Sequence, residues 1–293
     1  MDLRGILPPV ATPFDPLGEI DIAALVSNLR RWQGTGLAGY VLLGSTSETV
    51  YLTEAERARV LEAARSVIPS DQLMISGVIY EATGQAIAFS KAAAALGVNY
   101  VLVGAPNYYK DRMTEAVLHA FYTEVAEHSP TPVLLYNVPQ FTGVSLSPNL
   151  IAKLSEHPNI VGMKDSSGNM AGLSEILRRV VAPFPVFVGA PFMLLPSLVL
   201  GAVGGILGIA HFAPRLCVEL FQACTRRDFL QARTLHFQLA PAMAVTAAYG
   251  VPAIKAAMDM LGYVGGPCRR PLQPVDETTR EIVKQALSAA KLL

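Results

Sequence analysis

Two hydrophobic periods alternate along this chain. Short runs rich in Val, Ile, Leu and Tyr, apolar at nearly every position, are followed by stretches in which apolar residues recur every three or four positions. The first kind reads as a strand buried on both faces, as in a parallel sheet, and the second as a helix. Residues 5–12 form the first strand signal, closed by Pro13. Asp21 then caps a helix carrying Ile22, Leu25, Val26 and Leu29, with Gly34 as its stop. Residues 40–43 are a second strand running into Gly44-Ser45-Thr46-Ser47-Glu48. Thr53 and Glu56 have capping-box spacing for the helix that bears Val60 and Leu61. Strands are expected over 73–78 and 100–103, each followed by a helix, over 83–96 and 114–127. The run ending Tyr136-Asn137-Val138-Pro139 is the fifth strand. Ser147-Pro148 opens its helix, with Ser as cap and Pro in the first turn. A sixth strand ends at Lys164-Asp165, followed by a helix over 170–179. Residues 186–188, 194–200 and 204–207 complete the series as strand, helix and strand.

Strict alternation through eight strand signals predicts a parallel α/β sheet, and the length suits a closed (β/α)8 TIM barrel over residues 1–226. An open doubly wound sheet is the alternative, but no Gly-x-Gly-x-x-Gly turn follows the first strand. From Arg227 the strand signals stop. Helices are expected over 229–239, 252–261 and 278–292, forming a C-terminal helical domain of residues 227–293.

Composition narrows the partners. Lys plus Arg and Asp plus Glu both number 23, so no basic field is available to attract nucleic acid. A hydrophobic content of 52% supplies a core and leaves apolar surface that subunit contacts would cover. Cys217, Cys224 and Cys268 have no metal-ligand spacing and are odd in number, which fits a reducing, cytoplasmic compartment. The start Met1-Asp2-Leu3-Arg4-Gly5 lacks the layout of a signal peptide. No charge lies between Arg179 and Arg215, long enough for a membrane span. Pro191, Pro196, Gly201, Gly204, Gly205 and Gly208 cut it into pieces of strand or short-helix size, so it reads as barrel core, with no membrane partner.

Candidate chemistry concentrates where strands end, since catalytic side chains of such barrels sit at strand C-termini and in the loops that follow. Those positions hold Thr12, Ser45, Thr46, Tyr108, Tyr109, Tyr136, Lys164 and the Gly189-Ala190-Pro191 turn. Tyr136 and Lys164 are separated by 28 residues, about one strand-helix-strand unit. A lysine there is either a strand-exit residue reaching solvent or a desolvated amine with a lowered pKa, free to attack a carbonyl. The neighbouring phenol favours the second reading, because imine chemistry needs a proton shuttle beside the amine. Paired carboxylates suited to glycoside hydrolysis are missing, and the five histidines are scattered, so neither that chemistry nor a metal site is expected. Asp165 points to the opposite face of its strand from Lys164 and is expected to be structural, and Glu48 to brace its loop. An amine, a phenol and hydroxyl donors suit Schiff-base chemistry on a 2-oxo acid, whose carboxylate Ser45 and Thr46 would hold. A barrel that binds a 2-oxo acid without turnover is the non-enzymatic alternative.

Taken in order, Pro9-Val10-Ala11-Thr12-Pro13-Phe14, Gly44-Ser45-Thr46-Ser47-Glu48, Tyr108-Tyr109, Tyr136-Asn137-Val138-Pro139 and Gly162-Met163-Lys164-Asp165 resemble the pyruvate-dependent aldolases that include dihydrodipicolinate synthase and N-acetylneuraminate lyase. The likeness spans essentially the whole chain. It implies that Lys164 forms the imine with no other cofactor, that Tyr136 relays protons, and that Ser45 and Thr46 bind the carboxylate, Thr46 also linking the relay. It further implies that Tyr109 enters the neighbouring subunit's site and that the chain assembles as a dimer of dimers. Gly189, Phe141 and Ser166 are expected to contact substrate. Two positions depart from the pattern. Phe141 stands where the synthase has an arginine that grips the second substrate's carboxylate, and Ser47 stands where a glycine is usual. A phenyl ring makes no bidentate contact with a carboxylate. With residues 160–166 and 262–269, this departure looks closest to the 4-hydroxy-2-oxoglutarate aldolase branch. The expected reaction is cleavage of a hydroxylated 2-oxo acid to pyruvate and an aldehyde. The alternative is condensation of pyruvate with aspartate semialdehyde.

Overall fold

The computed structural model describes residues 2–293. In chain order the elements are β1 (Gly5–Leu7), α1 (Ile22–Trp32), β2 (Gly39–Leu42), α2 (Glu54–Arg65), β3 (Leu73–Val78), α3 (Thr83–Ala95), β4 (Tyr100–Gly104) and α4 (Glu115–His128). There follow β5 (Val133–Asn137), α5 (Pro139–Thr142), α6 (Pro148–Leu154), β6 (Ile160–Asp165), α7 (Met170–Arg179), β7 (Val186–Val188), α8 (Leu194–Leu200), β8 (Gly204–Ile206), α9 (Pro214–Thr225), α10 (Phe229–Met260) and α11 (Glu277–Ala289). The strands lie in the order β1-β8-β7-β6-β5-β4-β3-β2 and every ladder is parallel. Hydrogen bonds from Ala38 N to Ile6 O (3.0 Å) and from Val10 N to Val41 O (2.8 Å) join the two ends. The sheet therefore closes as a (β/α)8 barrel, with a C-terminal helical segment.

Local signals explain where the helices start. The Asp21 carboxylate accepts from Ala24 N, and Thr53 and Glu56 satisfy each other's backbone donors. Two apolar layers follow from strand alternation. Leu7, Val41, Ile75, Leu102, Leu134 and Phe187 make one cluster, in the barrel interior. Strand residues such as Leu42, Val103 and Leu135 make the other with Leu25, Val60 and Leu118 of the helices.

Three expectations need correction. The first strand stops at Leu7 rather than reaching residue 12, because Pro8 and Pro9 have no N–H for the ladder; only an isolated bridge from Pro9 to Val41 persists. The short helix α5 after Tyr136-Asn137-Val138 was not expected. Two separate helices were expected over 229–239 and 252–261. Both are present as the two halves of α10, divided at Gly250, whose φ of 62° and ψ of −140° suit glycine; the correction is to the first, which continues through Pro241 up to that break. Among the described residues α10 is the one helix with the length and apolarity to cross a membrane, but the Gly250 break divides it, and it packs against α9 and α11. The uncharged stretch after Arg179 resolves into β7, α8 and β8, as its prolines and glycines predicted.

Candidate active site

Parallel pairing of β5 with β6 puts Tyr136 directly opposite Lys164, and β6 with β7 puts Lys164 opposite Phe187. Register partners in a ladder project to the same side, so phenol and amine both enter the barrel. Lys164 is 5% exposed, which rules out the solvent-reaching strand-exit reading. Its Nζ donates to the Tyr136 hydroxyl at 3.4 Å and lies 4.5 Å from the centre of that ring. The Tyr136 hydroxyl is 3.3 Å from Ser45 Oγ. Both contacts are at the long end of hydrogen bonding. Amine, phenol and hydroxyl thus form one chain across the mouth.

This chain lies in a cavity of about 580 Å³. Of the residues expected at the site, Ser45, Thr46, Tyr136, Phe141, Lys164, Ser166 and Gly189 all line it. Tyr109 does not: it is 70% exposed, with its ring edge-on to Tyr108. Among the described residues Lys164 is the only cationic side chain lining the cavity; Phe141, on α5, stands at the rim and is 67% exposed.

The loop carrying Ser45 and Thr46 is unusually constrained. Leu43 and Glu48, on either side of it, both have φ of 56°. A non-glycine residue in this region costs on the order of 1 kcal/mol or more, and such strain persists only where the surroundings hold it. Ser47 does not carry the strain. Its hydroxyl donates to Val10 O (2.5 Å) and accepts from Gly44 N (3.2 Å), and its carbonyl accepts from Thr12 Oγ1 (2.8 Å). The serine in place of glycine is therefore accommodated by bracing. Below this loop His211 is fully buried, accepting from Ala11 N (2.9 Å) and bonded through Nδ1 to Gly208 O (2.7 Å). Burial pushes its pKa down to about 4, so the ring is neutral and structural.

The supporting carboxylates behave as expected. Asp165, on the outer face of β6, accepts from Asn137 Nδ2 (2.8 Å) and Ser167 Oγ (2.8 Å) and is buried away from the amine. Glu48 braces its loop, through partners described below. Gly189 is required by space. A Cβ there would lie 1.9 Å from Ser166 Oγ and 2.8 Å from Lys164 Cε. The second wall of the cavity was missed in the sequence: Thr246, Tyr249, Gly250 and Ile254 of α10, with Leu272 beyond it. They reach the mouth because of the break at Gly250, whose sequence signal is the glycine itself between apolar helical runs.

Known proteins fit this geometry. Residues 2–290 match the model of the dihydrodipicolinate synthetase family. The 4-hydroxy-tetrahydrodipicolinate synthase of Methanosphaerula palustris is 35% identical over 289 residues, covering 97% of this chain and 98% of that protein. The enzyme of the same name from Methanopyrus kandleri is 32% identical over 99% of this chain and 97% of its own. Among solved structures, YagE, a prophage protein of E. coli K12 belonging to the dihydrodipicolinic acid synthase family and crystallised with pyruvate, superposes with a TM-score of 0.94 at 28% identity over the full length of both chains. The closer likeness to 4-hydroxy-2-oxoglutarate aldolase is not confirmed, since these relatives are named as synthases. Members of the family are class I lyases that carry pyruvate as an imine on a lysine and need no metal. From residue 2 to residue 290, with the lysine, the tyrosine and the hydroxyl pair in place, this chain belongs to the dihydrodipicolinate synthetase family.

Proposed function

We propose that Lys164 forms an imine with the keto carbon of pyruvate and that the enzyme makes or breaks a carbon–carbon bond at the pyruvate methyl carbon. The observation that supports this best is the buried amine 3.4 Å from Tyr136, itself 3.3 Å from Ser45. The amine attacks C2; the carbonyl oxygen takes protons and leaves as water, giving an iminium. That cation withdraws electrons from C3, which loses a proton to become an enamine, and the enamine adds to an aldehyde. Water then releases the product and restores the amine. Tyr136 carries protons to and from the leaving oxygen, with Ser45 next in line. Ser45 and Thr46 hold the pyruvate carboxylate, while Ser166, Gly189 and Phe141 face the acceptor.

Aspartate semialdehyde is the acceptor we assign first, because the relatives at 32–35% identity bear the synthase name. Phe141 favours a second reading. Among the described residues no guanidinium lines the cavity to grip the carboxylate of aspartate semialdehyde, which leaves a hydroxylated 2-oxo acid such as 4-hydroxy-2-oxoglutarate, cleaved to pyruvate and an aldehyde, as the alternative substrate. Consumption of aspartate semialdehyde with pyruvate, measured beside pyruvate release from 4-hydroxy-2-oxoglutarate, decides between them. The first reading expects the condensation to have the larger kcat/KM, with a high KM for the aldehyde; a cleavage rate that dominates would overturn it.

Assembly belongs to the same reading. Tyr109, exposed and unused in its own chain, would complete the relay of a neighbouring copy, making a dimer the smallest active unit and a dimer of dimers the expected form. One structural relative, 27% identical, is described as a monomeric dihydrodipicolinate synthase variant, so the state needs direct measurement by light scattering.

A further inference from the structure

Behind the cavity wall lies a charged pair that the imine mechanism does not use. Glu48 and Lys255 are each 2% exposed, and Lys255 Nζ is 2.6 Å from Glu48 Oε1. At that distance the two form a buried ion pair. Each has a further partner. Glu48 Oε2 accepts from Arg269 N (2.8 Å), and Lys255 Nζ donates to Pro267 O (2.8 Å). Beneath both cations lies the Phe14 ring, 4.5 Å from Lys255 Nζ and 4.5 Å from Arg269 Cζ. The Arg269 guanidinium in turn binds Glu56 of α2 and the Gly18 carbonyl. Two ions taken out of water together are costly, and such a pair survives where its further bonds are satisfied.

Its position suggests what it does. Glu48 is the left-handed residue that closes the Gly44–Ser47 turn, so its side chain decides whether the strained backbone presenting Ser45 and Thr46 holds. Lys255 follows Ile254, and Arg269 precedes Leu272 by one turn; both apolar residues line the cavity. The pair therefore ties the carboxylate-binding turn to the two C-terminal segments that form the opposite wall.

We propose that Glu48 and Lys255 are positioning residues that clamp the Ser45–Thr46 turn to α10 and the Pro267–Arg269 segment, and so set the affinity for the carboxylate of the 2-oxo acid. This rests on the imine reading above. The clamp acts on binding of pyruvate rather than on the chemistry of the bound imine, which separates it from a merely structural role.

The test is borohydride trapping of the pyruvyl adduct across pyruvate concentrations, beside thermal melting, on the full chain. In Glu48→Gln and Lys255→Met, half-saturation should rise about tenfold or more, while the plateau trapping rate stays within about threefold of wild type. Both singles should also melt lower, because each leaves one buried charge uncompensated. Glu48→Gln with Lys255→Met removes both charges, and should recover most of the melting temperature but keep the raised half-saturation. Glu48→Asp keeps the charge and shortens the reach, and should also raise half-saturation; it serves, with the double variant, if a single variant does not fold. Folded variants that saturate at the wild-type concentration overturn the clamp, as does a double variant restored in both properties. No adduct on wild type would sink the imine reading and the clamp with it; an adduct on wild type with unchanged saturation in the variants sinks the clamp alone.

Discussion

Gly189→Ala tests whether the mouth is as tightly built as the structure indicates. The added methyl would sit 1.9 Å from Ser166 Oγ, 2.9 Å from Ser166 Cβ and 2.8 Å from Lys164 Cε, against an ordinary contact distance of 3.4 Å or more. Turning the serine hydroxyl away relieves the first contact but not the other two. The backbone has little room to retreat, since Gly189 N donates to Asp165 O at 2.7 Å. Lys164 Cε must therefore move by at least about 0.6 Å, and its amine moves with it. Overpacking of this kind costs about 1–3 kcal/mol in stability, which a chain of this size survives. Displacing a reacting atom by the better part of an ångström costs up to about 10²-fold in rate. The assay is the rate of pyruvyl adduct formation under borohydride at saturating pyruvate, with far-UV circular dichroism to confirm folding. Trapping should slow by about 10-fold to 10²-fold in a folded protein. A folded variant that traps at the wild-type rate would show that Lys164 does not depend on this packing.

Other perturbations probe the remaining links. Tyr136→Phe should keep the fold, because only the hydroxyl is removed from a buried ring, while turnover falls by about 10²-fold or more in a steady-state pyruvate assay. Phe141→Arg places a guanidinium at the rim; a charge-assisted contact worth about 1.5–3 kcal/mol should raise kcat/KM for aspartate semialdehyde by about 10-fold to 10²-fold, and an unchanged value would remove that position from acceptor recognition. His211 provides a pH signature. Its folded pKa of about 4 lies below the ordinary 6.5, so the unfolded chain takes up a proton that the folded chain refuses. The stability from the neutral ring is complete above pH 6.5 and is lost as pH falls toward 4, an effect of order 3 kcal/mol. Melting curves over that window should steepen in wild type relative to His211→Asn.

The barrel was legible because parallel strands are buried on both faces: Leu73 to Val78 and Ile160 to Met163 read as apolar runs whatever the tertiary context. It was over-read at Pro8 and Pro9, where the apolar run continues but the missing N–H groups leave only an isolated bridge to Val41. The helix α5 was missed because four residues, Pro139 to Thr142, are too few to show a period. At the site, Tyr136 and Lys164 were legible because one strand-helix-strand step fixes their register. Ser45 and Thr46 on the Gly44–Ser47 turn line the cavity, as expected, but the bracing that holds the turn was not foreseen. Glu48 was recognised as a bracing carboxylate, yet its partner is far along the chain, in a helix whose apolar face hides a single lysine. Contacts set by closure of the barrel onto a C-terminal helix leave no periodic trace. The wall formed by Thr246 to Ile254 escaped notice for the same reason.

Intact mass after borohydride reduction with pyruvate tests the central claim most directly. Wild type should gain one reduced pyruvyl group, located on Lys164 by peptide mapping, and Lys164→Ala should gain none. An adduct that persists in Lys164→Ala, or its absence from folded wild type, would contradict the account.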